Sequence, residues 1–286
     1  MKKIPGFISF AVILSLMCHF CTEDTDHSRE GMIIDHTCTD LAAIPSKWLS
    51  RAKSLTVHYA HTSHGSQLIT GANYLEDHID SVLYAFESRE SGTEGLPDEQ
   101  DPPALRMYDG NPPETYIEPD DYWYGDDALA RTGAVAGTGH YVVSLWSWCG
   151  QQSSNSIETV QEYLDSMEEL EESYPSVRFV YMTGHTDGGT ETLERNNDLV
   201  RDFCRKHKKI LYDFADIESW APDGTNYPDT TDACSWCTDW CLEHGDDCEN
   251  IPVSDSECAH THGFNCVLKG RAFWWMMARI AGWDGE

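Results

Sequence analysis

A short strand that runs through a polar turn into an amphipathic helix constrains the fold of this chain most. Residues 55–60 are β-branched, aromatic and apolar, which predicts a buried strand. The turn that follows, residues 61–66, reads His-Thr-Ser-His-Gly-Ser. Apolar residues then recur every three or four positions, which predicts a helix that carries Leu68, Ala72, Leu75, Ile79, Val82 and Phe86 on one face.

Ser63 lies in this turn and is a candidate nucleophile. A strand-to-helix turn lifts a hydroxyl above the sheet edge, beside the N–H groups of the helix start. Gly65 allows the chain to turn sharply without a Cβ clash. The arrangement suits a nucleophile with an oxyanion hole. The alternative is that Ser63 or Ser66 only caps the helix.

The same alternation of strand and helix recurs along the chain. Strands are predicted at 104–108, 140–146, 177–183 and 209–214, with helices between the later ones and a final helix at 268–281. We therefore predict an α/β fold: a three-layer sandwich with a mainly parallel, flavodoxin-like sheet and helices on both faces.

Residues that can take part in catalysis or ligand binding follow four of the predicted strands. Ser63 follows the first, Gly110 the second, Gln151 the third, and His185 with Asp187 the fourth. Ligands bind beyond the carboxyl ends of the strands in such sheets. This shared position favours a functional site over a helix cap at Ser63.

The remaining segments are predicted to be irregular. Residues 22–50 are polar and are predicted to be a tether that leads into a domain at 51–286. Residues 87–103 are acidic and rich in Gly and Pro, which predicts a loop. Residues 114–139 hold several aromatic residues among acids and glycines, and we predict an aromatic loop that either lines a sugar-binding cleft or packs onto the core.

The N-terminus is typical of a secretory signal. Lys2 and Lys3 precede an apolar run from Ile4 to about Met17, which is too short to span a bilayer comfortably. Residues 1–21 are predicted to be a signal peptide or a lipoprotein signal, with a lipid anchor at Cys18 or Cys21 in the second case. We expect an exported protein: extracellular, periplasmic or at the cell surface.

The charge balance argues against two classes of partner. The chain has 49 acidic and 19 basic residues, a formal net charge of −30 at pH 7. Such a surface repels nucleic acid and anionic lipid. No segment after the N-terminal run is long and apolar enough to span a membrane, so neither nucleic acid nor a membrane span is expected.

Most of the eleven cysteines lie near the C-terminus. Six of them fall in one stretch, at Cys234, Cys237, Cys241, Cys248, Cys258 and Cys266. An exported chain meets an oxidising compartment, so we predict disulfides that staple a long insertion at 220–266. A zinc site from Cys234-x-x-Cys237 is the alternative, and spacing alone does not give the connectivity.

A serine nucleophile needs a general base that an acceptor group orients. His260 and His262 lie just before the last predicted helix, in a loop that can fold over the sheet edge. Glu257 places a carboxylate three residues before His260. Cys258 and Cys266 bracket the loop and can fix it.

These features together resemble the SGNH (GDSL-like) hydrolases. In that superfamily serine follows the first strand, glycine the second and asparagine the third, and a late Asp-x-x-His completes the site. The resemblance implies that Ser63 is the nucleophile and that Gly110 and Gln151 help to form the oxyanion hole. It implies further that His260 is the base, with His262 as a competitor, and that Glu257 or Asp255 orients it.

The resemblance covers roughly residues 50–282 in element order, but several motifs differ. His61-Thr62-Ser63 stands for the usual Gly-Asp-Ser. Cys149-Gly150-Gln151-Gln152 stands for Gly-x-Asn-Asp and is closer to the Gln-containing version of some carbohydrate esterases. Glu replaces Asp in the late motif.

Other residues at the strand ends are assigned to substrate binding: His61, His64, His185, Asp187 and Trp148. For Asp187 the alternative is a structural turn. For Trp148 the alternative is packing in the core or at its rim.

The sequence therefore predicts an exported serine esterase that removes acyl groups from a polysaccharide or glycoconjugate, without a cofactor. The rival is a non-catalytic carbohydrate- or metal-binding protein on the same scaffold. His58-x-x-His61-x-x-His64 looks like a ligand series, but residues three apart on a strand face opposite sides. We therefore predict no metal site, and expect His58 to be a buried, hydrogen-bonded histidine.

Overall fold

A single parallel sheet forms the centre of the protein in a computed structural model, which describes residues 31–252 and 258–286. Every strand pair in it is parallel, and the central strands are buried along almost their whole length. The strands in these residues are β1 (Met32–Ile34), β2 (Thr56–His61), β3 (Phe86–Glu90), β4 (Leu105–Asp109), β5 (Val143–Ser147), β6 (Arg178–Met182) and β7 (Ile210–Tyr212).

The strand order is β1-β7-β6-β5-β2-β4-β3. The direction in which successive strands are added to the sheet reverses at β2, which pairs with β4 on one side and β5 on the other. Without the edge strands β1 and β3, this is the flavodoxin-like order. The predicted α/β class and parallel sheet are confirmed, and Ser63 directly follows the strand at the switch point.

The helices form two packed groups. One contains α1, α2 and α9, and the other contains α4, α5 and α6. Right-handed crossovers on either side of the switch point place such groups on opposite faces of the sheet. The helices in the described residues are α1 (Ser46–Ala52), α2 (Ser66–His78), α3 (Pro119–Tyr122), α4 (Asp126–Ala136), α5 (Ile157–Ser173), α6 (Glu191–His207), α7 (Phe214–Ser219), α8 (Ser235–Glu243) and α9 (Gly263–Ile280).

Helix α9 is buried along most of its length and crosses α2 at very short range. Gly71 and Gly270 face each other at the crossing, where a Cβ on either residue would collide with the backbone of the other helix. Only glycine permits this approach. The crossing brings the loop before α9, which carries His260, next to the start of α2, which follows Ser63.

Three segments that were predicted to be irregular contain strands or helices. Residues 31–50, predicted as a tether, belong to the domain, because β1 pairs with β7 and α1 packs against α9. The predicted loop at 87–103 begins inside β3, an edge strand whose exposed polar residues hid its pattern. The predicted aromatic loop at 114–139 contains α3 and α4.

Two details of the first helix were also wrong. Helix α2 ends at His78, and Phe86 starts β3 instead of continuing the helix. Ile79 and Val82, which matched the helical spacing, are 49% and 61% exposed. Beyond His78 the spacing of apolar residues was coincidental.

The Cys-rich segment is stapled as predicted. Disulfides join Cys234 to Cys237, Cys241 to Cys248 and Cys258 to Cys266. Cys234 and Cys237 are bonded to each other, so the zinc alternative for this pair is wrong. The three bonds indicate an oxidising compartment. The predicted signal, with Cys18 and Cys21, and the predicted acids Asp255 and Glu257 lie outside the described residues.

His58 in β2 is fully buried in a polar chain of hydrogen bonds. The Tyr122 hydroxyl lies 2.6 Å from Ser144 Oγ, which is 2.8 Å from His58 Nδ1. Nε2 of His58 lies 2.9 Å from the carbonyl oxygen of Gly110. Burial lowers the pKa of His58 to about 4, so the ring is neutral in the folded protein near pH 7.

This burial predicts a pH dependence of stability. Between pH 6.5 and about 4 the unfolded chain binds a proton at His58, whereas the folded protein does not. The free energy of unfolding therefore falls as pH falls. We expect a His58→Gln variant, compared with wild type by denaturant unfolding across this range, to lose stability less steeply. Equal slopes for both proteins would contradict this role of His58.

Candidate active site

Ser63 lies where β2 passes into α2. A 3-10 turn, Ser63–Gly65, joins the strand to the helix, and the Ser66 hydroxyl donates to the Ser63 carbonyl at 2.7 Å. The Tyr59 hydroxyl donates to the Gly65 carbonyl at 2.8 Å. A Cβ at Gly65 would collide with the Cβ of His61, so this turn requires glycine. The result is a partly exposed Ser63 hydroxyl at the carboxyl edge of the sheet.

His260 is the residue that the structure brings to Ser63. Its Nε2 lies 2.9 Å from Ser63 Oγ, across 197 residues of sequence. His260 has a φ of 64°, a left-handed conformation that a non-glycine residue adopts only when its surroundings hold it there. The Cys258–Cys266 disulfide closes this loop, and Gln67 Nε2 donates to the carbonyl oxygen of Ala259. The other candidate, His262, instead caps α9 by accepting from the Phe264 N–H.

The described residues contain no acceptor that orients His260. Glu257 and Asp255, the predicted candidates, lie in the stretch 253–257 that the structure does not describe. Within the described ranges no carboxylate is bonded to His260; the ring stacks on His64 with 4.5 Å between centroids.

The predicted oxyanion donors differ in availability. The Gly110 N–H donates to the Tyr59 carbonyl at 2.9 Å, so it is occupied within the sheet and does not serve as predicted. Gln151 is anchored beside the site: its Oε1 accepts from the Cys149 N–H at 2.7 Å, and its Nε2 donates to Glu118 at 3.0 Å. The first N–H groups of a helix have no acceptor within it, which leaves the start of the Ser63 turn as a donor.

A second cluster of side chains adjoins Ser63. His64 Nδ1 lies 3.0 Å from Cys149 Sγ, and its Nε2 lies 3.1 Å from Asp232 Oδ2. Cys149 Sγ is also 3.8 Å from Ser63 Oγ. Burial lowers the pKa of His64 despite the opposing effect of Asp232, so this ring is neutral at pH 7. Cys149, His64 and Asp232 thus form one chain of thiol, imidazole and carboxylate within hydrogen-bond reach.

Loop pairing brings Asp232 into this cluster. The Asp232 N–H donates to the Thr186 carbonyl at 3.0 Å, and the Gly188 N–H donates to the Thr230 carbonyl at 2.9 Å. The segment after β6 therefore runs alongside residues 230–232. It also carries His185, whose ring stacks on His64 with 3.9 Å between centroids and 3° between planes.

His64, His185 and Asp232 also offer three ligand atoms within 4.8 Å of one another. The two imidazole planes are nearly parallel. Lone pairs that lie in two parallel, separated planes do not meet at one point, so one ring would have to tilt before both bound the same ion. The arrangement as folded suits hydrogen bonding and stacking.

The other predicted binding residues are less accessible than expected. Trp148 is 1% exposed and donates from Nε1 to the Met182 carbonyl, so it packs in the core and its assignment to substrate binding is wrong. Asp187 accepts from Thr190 N–H and Oγ1, which is the structural turn given as its alternative. His61 is buried, and Asp109 lies 3.1 Å from its Nε2. Burial opposes the charged form of His61, but Asp109 outweighs it and raises the pKa of this ring.

A buried ion pair, Lys269 with Glu218, connects two of the loops that form the site. Lys269 and Glu218 are both fully buried, with Nζ 2.6 Å from Oε1. Glu218 Oε2 accepts from the Thr186 N–H at 2.7 Å, and Lys269 donates to Gln67, which holds Ala259. Burial lowers the pKa of Lys269, and Glu218 opposes this effect. The pair links the loop of His260 to the loop of His185.

Sequence reasoning missed Cys149 and Asp232. Cys149 was quoted only as part of the motif after the third predicted strand, although it lies outside the C-terminal group of cysteines and only three residues beyond that strand. That position was a usable signal. Asp232 is brought in by pairing between two loops, and no spacing in the sequence indicated it.

No family model matches the chain, and a search of curated proteins finds no match either. The geometry of the site is therefore the basis for the function proposed below. Across the ranges that the structure describes, no helix is both long and apolar enough to cross a membrane.

Proposed function

We propose that this protein is an exported serine esterase of the SGNH type that removes acyl groups from a polysaccharide or glycoconjugate. One observation carries the proposal: Ser63 Oγ and His260 Nε2 lie 2.9 Å apart at the carboxyl edge of a parallel sheet. Nucleophile and base within hydrogen-bond reach, at the switch point of such a sheet, are what acyl transfer requires.

In this mechanism His260 takes the Ser63 proton as Oγ attacks the ester carbonyl carbon. The N–H groups at the start of the Ser63 turn stabilise the oxyanion, together with the amide hydrogen of Gln151 that is not donated to Glu118. The protonated His260 then gives its proton to the leaving alcohol. Water, activated by the same imidazole, releases the acyl group from Ser63.

The chain also offers an aromatic side chain for a sugar ring. Tyr116 is 55% exposed, and the next residue, Ile117, donates its N–H to the carbonyl of His61, two residues before Ser63. Aromatic faces of this kind pack against sugar rings. The net charge of −30 disfavours a polyanionic substrate and leaves neutral glycan esters as the preferred class.

The proposal is tested by acetate release from acetylated oligosaccharides and from aryl acetates by the purified protein. The proposal predicts turnover of both. A well-folded protein that binds the oligosaccharide but releases no acetate would support the rival, a carbohydrate-binding protein. Metal content after chelation and dialysis tests the metal-binding form of that rival.

Tyr116→Ala is expected to raise KM for an acetylated oligosaccharide about fivefold, because an exposed aromatic contact contributes about 1 kcal/mol. Hydrolysis of a small aryl acetate should change less than about twofold. Tyr124, which is 50% exposed, provides the matched control as Tyr124→Ala. Equal effects of the two variants would contradict a sugar contact at Tyr116.

Removal of the Cys258–Cys266 disulfide is expected to lower kcat/KM about tenfold, because this bond holds the loop of His260 and small misplacements of a base are costly. The double variant Cys258→Ala/Cys266→Ala is compared with Cys241→Ala/Cys248→Ala, which removes a disulfide of similar sequence separation that does not close the loop of His260. The control should lose stability without a comparable loss of activity. Equal losses of activity in the two double variants would contradict the positioning role.

A further inference from the structure

The cysteines without a disulfide differ sharply in their surroundings. In the part of the chain that the structure describes these are Cys38, Cys149 and Cys204. Cys38 and Cys204 are buried, and burial raises the pKa of Cys38 to about 11 and that of Cys204 higher still. Both thiols are therefore held protonated and unreactive. Cys149 alone of the three is partly exposed and lies beside an imidazole.

His64 and Asp232 form a relay behind the Cys149 thiol. With the Nε2 proton of His64 donated to Asp232 at 3.1 Å, Nδ1 presents a lone pair to Cys149 Sγ at 3.0 Å. A cysteine whose base is oriented by a third group is the arrangement of activated thiols. The proposed esterase mechanism uses none of these three side chains.

We propose that Cys149 is a modification site, a thiol activated by His64 and Asp232 that exchanges with small disulfides, and that its modification closes the Ser63 site. The exchange itself is independent of the proposed function. Only the closure of Ser63 rests on it.

The exchange balances without a further reactant. His64 Nδ1 takes the proton of the Cys149 thiol, and the thiolate attacks one sulfur of a small disulfide. A new S–S bond forms at Cys149 as the old one breaks, and the departing thiolate takes the proton from His64 to leave as a thiol. An excess of small thiol reverses the reaction.

Modification of Cys149 blocks access to Ser63 because the two side chains are close together. Cys149 Sγ lies 3.8 Å from Ser63 Oγ. A mixed disulfide places a second sulfur about 2 Å from Cys149 Sγ, with a carbon chain beyond it. This group fills the space in front of Ser63, through which an ester would have to approach.

The test treats the full-length protein with 2-hydroxyethyl disulfide. This probe is small and uncharged, so the net charge of −30 does not repel it. Peptide mass spectrometry should find the mixed disulfide at Cys149 and show it forming about tenfold or more faster than at Cys38 and Cys204. His64→Gln and Asp232→Asn should each slow the reaction at Cys149 about tenfold, and Cys149→Ala should abolish the adduct.

A rate at Cys149 equal to that of the two buried thiols, or unchanged in His64→Gln, would overturn the proposal. Closure is read separately, as labelling of Ser63 by a fluorophosphonate. Labelling should fall after treatment, return on addition of thiol, and be insensitive to treatment in Cys149→Ala. Persistent labelling of the modified protein would overturn the closure. If Ser63 is never labelled while Cys149 exchanges, the esterase proposal fails and the exchange stands.

Discussion

Ser63→Ala is expected to lower kcat/KM for ester hydrolysis by about a thousandfold or more. The variant removes the atom that forms the acyl enzyme, and loss of a nucleophile leaves only the contributions of the oxyanion donors and of binding. Among the residues that the structure describes, the Ser63 hydroxyl contacts only His260 and Cys149, and neither contact holds elements of the fold together. The free energy of unfolding should therefore stay within about 0.5 kcal/mol of wild type.

Two pairs of variants make this test specific. Ser66→Ala removes the neighbouring hydroxyl, which donates to the Ser63 carbonyl, and should keep most of the activity. His260→Ala should lose activity about as severely as Ser63→Ala, because the two act as one unit, whereas His262→Ala should lose far less. Near-normal hydrolysis by Ser63→Ala would show that another group is the nucleophile.

Lys269→Met is expected to destabilise the fold by about 3–5 kcal/mol. The substitution leaves Glu218 buried without its cation, and breaking a buried ion pair on one side has a penalty of this size. Activity should fall as well, because Lys269 donates to Gln67, and Gln67 holds the residue before His260. Denaturant unfolding with the disulfides intact measures the stability.

The double variant Lys269→Met/Glu218→Gln separates the charge from the packing. Glutamine removes the uncompensated charge and keeps an oxygen for the Thr186 N–H, so we expect it to recover a large part of the lost stability. Arg205→Met, in an exposed pair with Asp202, is the control and should change stability by less than about 0.5 kcal/mol. A double variant no more stable than Lys269→Met would contradict an energetic role of the pair.

The sheet was predictable because buried parallel strands leave a strong sequence pattern. Strands β2, β5 and β6 are buried along almost their whole length and rich in β-branched and aromatic residues, and they lie within one to three residues of their predicted bounds. Edge strands leave a weaker pattern. The strand β3 is half exposed and polar, and β1 has three residues, so both were hidden in segments predicted as loop or tether.

The site was predictable only where its residues lie next to an element that stands out in the sequence. Ser63 and His260 were found because a strand end and the start of the last helix both stand out in the sequence, and the fold brings them together. Asp232 was missed because its place depends on pairing between two loops. The Gly110 N–H was expected to stabilise the oxyanion, but it donates to the Tyr59 carbonyl. The hydrogen-bond partner of a single backbone amide cannot be predicted from a sequence pattern.

The proposed mechanism depends on Ser63 being an activated nucleophile with His260 as its base. The direct measurement is fluorophosphonate labelling of the purified protein, with the modified peptide identified by mass spectrometry. We expect an adduct on Ser63 that is lost in Ser63→Ala and in His260→Ala and kept in His262→Ala. An adduct on another residue, or none on a well-folded sample, would contradict this mechanism.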